Sequence, residues 1–162
     1  MYAFRPFGRS DAERLEQVFV DAVSVIGLRA YSAAQVAAWV ARSPAAKDRI
    51  IERAELGHWV IVAAEESGMP VAYALLEQDG HLDHLYCHPD HTRNGLADLL
   101  LEAAEEQALT WDCKRLYTEA SELACPAFER AGYVVTQRRD FTIEHEGKLV
   151  PIHNYAMEKT LG

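Results

Sequence analysis

No stretch of this chain stays apolar for the roughly 20 residues that a membrane-spanning helix needs. Met1-Tyr2-Ala3-Phe4-Arg5 has neither the charged start nor the apolar run of a signal peptide. Both absences point to a cytoplasmic chain with no membrane partner. Cysteine is scarce: Cys87, Cys113 and Cys125 are odd in number and show no C-x-x-C spacing, which excludes a disulfide framework and a zinc knuckle. Each reads as a small apolar residue. Positive charge is also short, with 16 Lys and Arg against 25 Asp and Glu, a formal net charge of −9. Nucleic acid and anionic membranes, which are held by Lys and Arg neutralising phosphate, are excluded as general partners. A phosphate site here must be local, built from backbone dipoles and a few side chains. A cationic substrate suits the acidic balance, as does a plain solvated surface. Repeats, low-complexity tracts and linkers are missing too. At 162 residues and 49% hydrophobic content, the chain supports one buried core and is too short for two ordinary domains.

What is present is a regular alternation of patterns. Tyr2 to Pro6 reads as a first strand. Ser10-Asp11-Ala12-Glu13 forms a capping box ahead of Leu15, Val18, Phe19, Ala22, Val23 and Ile26 at helical spacing. A second box, Ser32-Ala33-Ala34-Gln35, opens a helix carrying Val36, Trp39 and Val40, and residues 45 to 56 form another after Pro44. Then the period changes: His58 to Ala64, Val71 to Glu77 and His81 to Cys87 read as three antiparallel strands, joined by Ser67-Gly68-Met69-Pro70 and Asp79-Gly80. A helix follows from Leu96 to Leu109, with Leu96, Leu99, Leu100, Ala103, Ala104 and Ala108 as its buried face. After it come a strand from Arg115 to Glu119, a short helix near Cys125 to Ala131 ended by Gly132, and two strands turning at Glu146-Gly147. This order predicts an α/β (α+β) fold, one mixed, mostly antiparallel sheet flanked by helices.

The most informative segment is His88-Pro89-Asp90-His91-Thr92-Arg93-Asn94-Gly95-Leu96-Ala97, where an apolar strand meets the long helix. A polar turn with one glycine can aim several backbone N–H groups and the positive end of the helix dipole at an anion. Gly95 permits close backbone approach, and Ala97 keeps bulk off the first turn. The plain alternative is an ordinary strand-to-helix connection.

Leu85-Tyr86-Cys87-His88-Pro89, then Thr92-Arg93-Asn94-Gly95-Leu96-Ala97 and Leu99-Leu100, resemble the acyl-coenzyme A signature of the GNAT N-acetyltransferase superfamily. Thr92 stands where Gln or Arg is usual. Further on, Ala127-Phe128-Glu129-Arg130-Ala131-Gly132-Tyr133 is similar to the second landmark of that family. Tyr31-Ser32 with Trp39, Tyr86 to Arg93 and Phe128-Glu129-Arg130 lean toward a bacterial YafP-like branch. The resemblance implies a single GNAT-like domain over residues 1–162, with acetyl-coenzyme A (acetyl-CoA) as cosubstrate and no metal. It further implies acetyl transfer to the amine of a small molecule by direct attack in a ternary complex, and it leaves a homodimer open.

In that reading the amides of Arg93, Asn94, Gly95, Leu96 and Ala97 receive the pyrophosphate, supported by the Thr92 hydroxyl and the Arg93 charge. The strand end at Leu85, Tyr86 and Cys87 splays from its neighbour to pair with the pantetheine arm, and a donor near Leu85 or Tyr86 polarises the thioester carbonyl. Ser121, where the family often has Asn, and Phe128 line the other side; Ser121 could equally be a helix-approach residue. An alkyl ammonium at pH 7 must lose a proton at a cost of about 4 to 5 kcal/mol. Asp83 and His81, on one face of the thioester strand, are the candidate bases. Their plain alternatives are a turn hydrogen bond and a surface position. Phe128 replaces the customary Tyr acid, so water or Tyr86, Tyr133 or Tyr155 would supply the proton.

Three other readings compete. His84, His88 and His91 would share a helical metal site, but in a strand His84 and His88 lie roughly 13 Å apart. No nucleophile elbow or Cys-His pattern supports a hydrolase. A non-catalytic acetyl-CoA sensor fits the loss of the phenol, and thiol release on adding an amine distinguishes it. Tyr31, Trp39, Tyr133, Phe141 and Tyr155 suggest an aromatic-lined acceptor cavity, against the alternative of core packing.

Overall fold

In a computed structural model describing residues 1–162, seven strands and five α-helices follow the predicted order. They are β1 (Ala3–Pro6), α1 (Ala12–Ile26), α2 (Ala33–Val40), α3 (Ser43–Glu55), β2 (Trp59–Ala64), β3 (Pro70–Leu76) and β4 (Leu82–Cys87). α4 (Leu96–Thr110), β5 (Arg115–Ala120), α5 (Cys125–Arg130), β6 (Val134–His145) and β7 (Lys148–Thr160) complete the chain. No helix is long and apolar enough to cross a membrane.

β3 is buried along its whole length because both of its faces are covered. Ala72, Ala74 and Leu76 pack with Leu96, Leu100 and Leu101 of α4, while Tyr73 and Leu75 pack with Leu15, Val18 and Ile50 of α1 and α3. This is the two-residue period of a strand distributing side chains between two cores. A third cluster joins Phe19, Val23, Tyr31 and Val36 to Ile143 and Ile152, tying the early helices to the β6–β7 hairpin.

Two expectations need correction. The stripe of α4 that is buried is Leu96, Leu100, Leu101, Ala104 and Ala108; Leu99 is exposed and Ala103 half-buried, because the i, i+4 row turns Leu101 inward instead. Ser10 and Glu13 make no capping box. Instead residues 9 to 11 form a 3₁₀ turn, and the Asp11 carboxylate accepts the Gly8 N–H at 2.8 Å and the Arg5 guanidinium at 2.8 and 3.0 Å. The charge-assisted pair outcompetes a serine hydroxyl. The second box is as expected, with Ser32 and Gln35 capping each other.

The sheet is mixed and mostly antiparallel, as expected, and flanked by helices. Its strands form two antiparallel ladders, β1-β2-β3-β4 and β5-β7-β6, joined by a single parallel bridge between His81 and Tyr117. At that bridge the Tyr117 N–H donates to Gly80 O at 3.0 Å and the Thr118 hydroxyl to Leu82 O at 2.7 Å. Gly80 is obligatory there: its φ is +98°, and a Cβ would stand 2.2 Å from Arg115 O. Past Leu82, β4 and β5 share no further bridge, so a gap opens between them.

The bridge is clamped by charge. His81 sits between Glu77 (Nδ1 to Oε1, 2.6 Å) and Glu119 (Nε2 to Oε1, 2.8 Å). Burial opposes its protonation, but the two carboxylates win and raise its pKa to about 9. A group raised above its unfolded value of about 6.5 stabilises fully below that value and loses the contribution as pH climbs through about 9. The melting temperature is therefore expected to fall between pH 7 and pH 10, and to fall less in His81→Gln. Thermal melts of both proteins across that range check it, and parallel declines would refute the clamp.

Candidate active site

The gap is lined by unpaired backbone. His88 N–H donates to Val71 O at 2.8 Å, extending the β3–β4 ladder by one pair beyond Ala72 and Cys87. Hydrogen-bonded pairs recur at every second residue of an antiparallel ladder. Tyr86 and His84 therefore turn their backbone groups to β3, and Leu85 and Cys87 turn theirs into the gap. Of the two residues expected to carry the donor, Leu85 is the one so oriented, with Cys87 beside it.

Two cavities meet at this gap. One, of about 160 Å³, is an apolar slot between α1, β4 and α4, whose walls include Val23, Cys87, Ala97 and Ala127. The other, of about 510 Å³, lies under α2 and α3 and against β6 and β7. Trp39, Leu85, Tyr86, Ser121 and Ala124 belong to both walls, so the cavities adjoin at the splayed strand.

The turn beyond β4 leads into the slot. Arg93 and Gly95 both have left-handed φ, +65° and +76°, and α4 starts at Leu96. The amides of Arg93, Asn94, Gly95, Leu96 and Ala97 donate to no protein acceptor. Such alternating backbone forms an anion-binding nest, continued by the helix N-terminus. Arg93 is in no ion pair and so is available to an anion. Thr92, in contrast, donates its hydroxyl to Pro89 O at 3.1 Å. Asn94 holds the loop in place, donating to His91 O and to Tyr2 Oη, both at 3.1 Å.

The remaining sequence candidates divide. Leu85, Tyr86, Ser121 and Phe128 reach the cavities. The Ser121 hydroxyl also accepts the Ala124 N–H at 3.2 Å, the helix-approach role. Phe128 is buried edge-on against Tyr133, ring centroids 5.0 Å apart. Burial pushes the Tyr86 phenol well above its ordinary pKa and the Cys87 thiol up to about 11, so neither readily gives up its proton. Of the five aromatics, Tyr31, Trp39 and Phe141 line the large cavity. Tyr133 lies in the core, and Tyr155 donates to Glu122 at 3.0 Å outside the cavity wall.

Asp83 lines the large cavity but is ion-paired with Arg49. Burial would raise its pKa; His84 and Arg49 outweigh that and hold it below the carboxylate norm. His81 is protonated, with both ring nitrogens engaged. His84 is buried against the Tyr73 hydroxyl (3.0 Å), and burial brings its pKa down to about 4. His88 turns to Asp21 and His91 to Tyr2, so the three histidines diverge. Donor atoms of Glu77, His81 and Asp83 cluster within 4.8 Å, yet Arg49, Arg53 and Glu119 already partner them.

Several cavity residues carry no local sequence signal, among them Arg42, Arg139 and His153. His153, on β7, is bonded through Nε2 to Glu122 in the β5–α5 loop, leaving Nδ1 without a protein partner. Tyr31 braces this pair, donating to His153 O at 3.0 Å and accepting the Glu122 N–H at 2.8 Å. A lone His on a strand carries no local signal that a distant Glu will orient it.

A family model described as "Acetyltransferase (GNAT) domain" matches residues 28–158. The chain belongs to the GNAT acetyltransferase family. This GNAT chain is 28% identical over 138 residues to "Uncharacterized N-acetyltransferase YafP" of Escherichia coli (strain K12), covering 83% of each, in accord with the leaning toward that branch. It is similar to the crystal structure of a GCN5-related N-acetyltransferase from Rhodopseudomonas palustris, with a TM-score of 0.84, 31% identity, and 98% and 95% of the two chains covered. It also shares its fold with the PaiA N-acetyltransferase of Thermoplasma acidophilum, solved in complex with coenzyme A (TM-score 0.77, 16% identity, 99% of each chain).

Proposed function

We propose that this acetyltransferase moves an acetyl group from acetyl-CoA to the amine of a small molecule by direct attack in a ternary complex. The observation that carries the reading is the meeting of the two cavities at the splayed strand, with a free amide nest at one end. The nest and Arg93 hold the pyrophosphate, the apolar slot takes the arm, and the unpaired N–H of Leu85 or Cys87 polarises the thioester carbonyl. The larger cavity receives the amine. Structures of this fold crystallised with coenzyme A support the choice of donor.

His153 is the group suited to take the ammonium proton. Glu122 fixes its tautomer, with the proton on Nε2 and the lone pair on Nδ1, the base-and-orienter pattern of acyl-transfer sites. The amine nitrogen then forms the new C–N bond, the C–S bond breaks with its electron pair on sulfur, and the second proton of the nitrogen passes to solvent as the amide forms, so coenzyme A departs as thiolate. A thiol of pKa about 8.5 makes unassisted departure cost roughly 2 kcal/mol, so no phenol is needed at Phe128.

Free thiol released from acetyl-CoA across a panel of small amines and peptides tests the reading. Binding without release would favour a sensor, and selective use of a peptide would replace the small-molecule acceptor. In the same assay Phe128→Tyr is expected to change kcat less than tenfold. A rise of three orders of magnitude would show that a dedicated acid matters.

A further inference from the structure

The acceptor cavity carries three arginines, Arg42, Arg49 and Arg139, and two carboxylates, Asp83 and Glu119. Both carboxylates are already neutralised: Asp83 pairs with Arg49 and Glu119 with His81. Arg42 and Arg139 form no ion pair at all. Even Asp140, next to Arg139 in the chain, pairs with Arg138 instead. In a chain of net charge −9, this cavity thus has two uncompensated positive charges on its wall.

Arg139 is also held in position. Its Nη1 donates to Asn154 Oδ1 at 3.2 Å, and its guanidinium lies over the Phe141 ring, 5.6 Å from the centroid. One edge of the fork is thereby used, and the rest is open to an acceptor. Arg42 approaches from the α2–α3 junction and acts electrostatically on the Tyr86 phenol at the mouth of the gap. A lysine-like or polyamine acceptor would find no free carboxylate here and two cations opposing its own charge. A small amine with a carboxylate would find charge-assisted donors of the geometry that suits carboxylates best.

We infer that the acceptor is a small amine that also bears an anionic group, its carboxylate read by Arg139 and Arg42. This rests on the acetyl-transfer reading and adds the substrate class. The overall acidity of the chain, which by itself favours a cationic ligand, is overruled by local pairing.

The test uses matched probes: a set of aromatic, aliphatic and polar amino acids, each beside its carboxamide, in the thiol-release assay. The expected kcat/KM is at least tenfold higher for the best acid than for its carboxamide, with the ratio collapsing toward one in the Arg42→Gln/Arg139→Gln double variant. Both arginines are exposed, so the variant should fold. Calorimetric titration of the CoA-saturated protein with the N-acetylated acids needs no turnover, and binding should be lost in the double variant. Arginine-dependent binding without thiol release from any amine would sink the transfer reading while leaving Arg42 and Arg139 as the pair that reads the carboxylate. Release from carboxamides at least as fast as from acids, or an acid preference that survives the double variant, would overturn the inference and leave the transfer reading standing.

Discussion

His153→Ala is expected to lower kcat by about 100-fold or more, the ordinary contribution of a positioned base. The magnitude follows from the amine: near pH 7 a group of pKa about 10.4 is overwhelmingly ammonium, and the nucleophile exists only after that proton leaves. His81 and Asp83 are poorly placed to take it, one already protonated and the other held in an ion pair. The brace around His153 runs from the Tyr31 hydroxyl to its main-chain oxygen, so truncating the ring leaves that link intact. KM for acetyl-CoA should stay close to wild type. Glu122→Gln keeps the size but removes the carboxylate that fixes the tautomer, and should produce a smaller fall in kcat. A decline of less than threefold in His153→Ala would move the base elsewhere on the cavity wall.

The second large effect lies in the nest. Gly95→Val should weaken acetyl-CoA binding by about tenfold or more, because a left-handed φ costs an L-residue about 1–2 kcal/mol and a β-branched one more. A Cβ on Gly95 meets nothing within 4 Å, so the cost falls on the backbone shape rather than on packing. The apoprotein can relax its turn, and binding must force it back. Melting temperature should accordingly change little while the dissociation constant rises. Gly95→Asn supplies the contrast, since Asn tolerates the left-handed region and should lose much less. Titration calorimetry with coenzyme A measures all three proteins, and equal affinities for Val and glycine would show that the left-handed turn is not what grips the diphosphate.

Local elements were legible in advance because each carries its own signal. The Ser32–Gln35 box, the turn at Glu146-Gly147 and the Gly132 stop all emerged where spacing and turn chemistry placed them. The errors came where two local options compete at similar energy. Ser10 could cap a helix, but Arg5, on the preceding strand, makes Asp11 the better acceptor. Leu99 and Leu101 fit helical periodicity about equally, and the sheet chose between them.

The strand, the glycine turn and the helix that form the nest were determined by residues adjacent in the chain, since turn geometry and amphipathic period act over a few bonds. Only the tertiary structure decided which charges in the cavity are spent. Arg49 reaches Asp83 from another element, Glu119 clamps His81 across the bridge, Glu122 orients His153, and Arg42 and Arg139 are left over. The physical reason is that a side chain's protonation and freedom depend on partners within a few ångströms, and folding draws those partners from dozens of residues away.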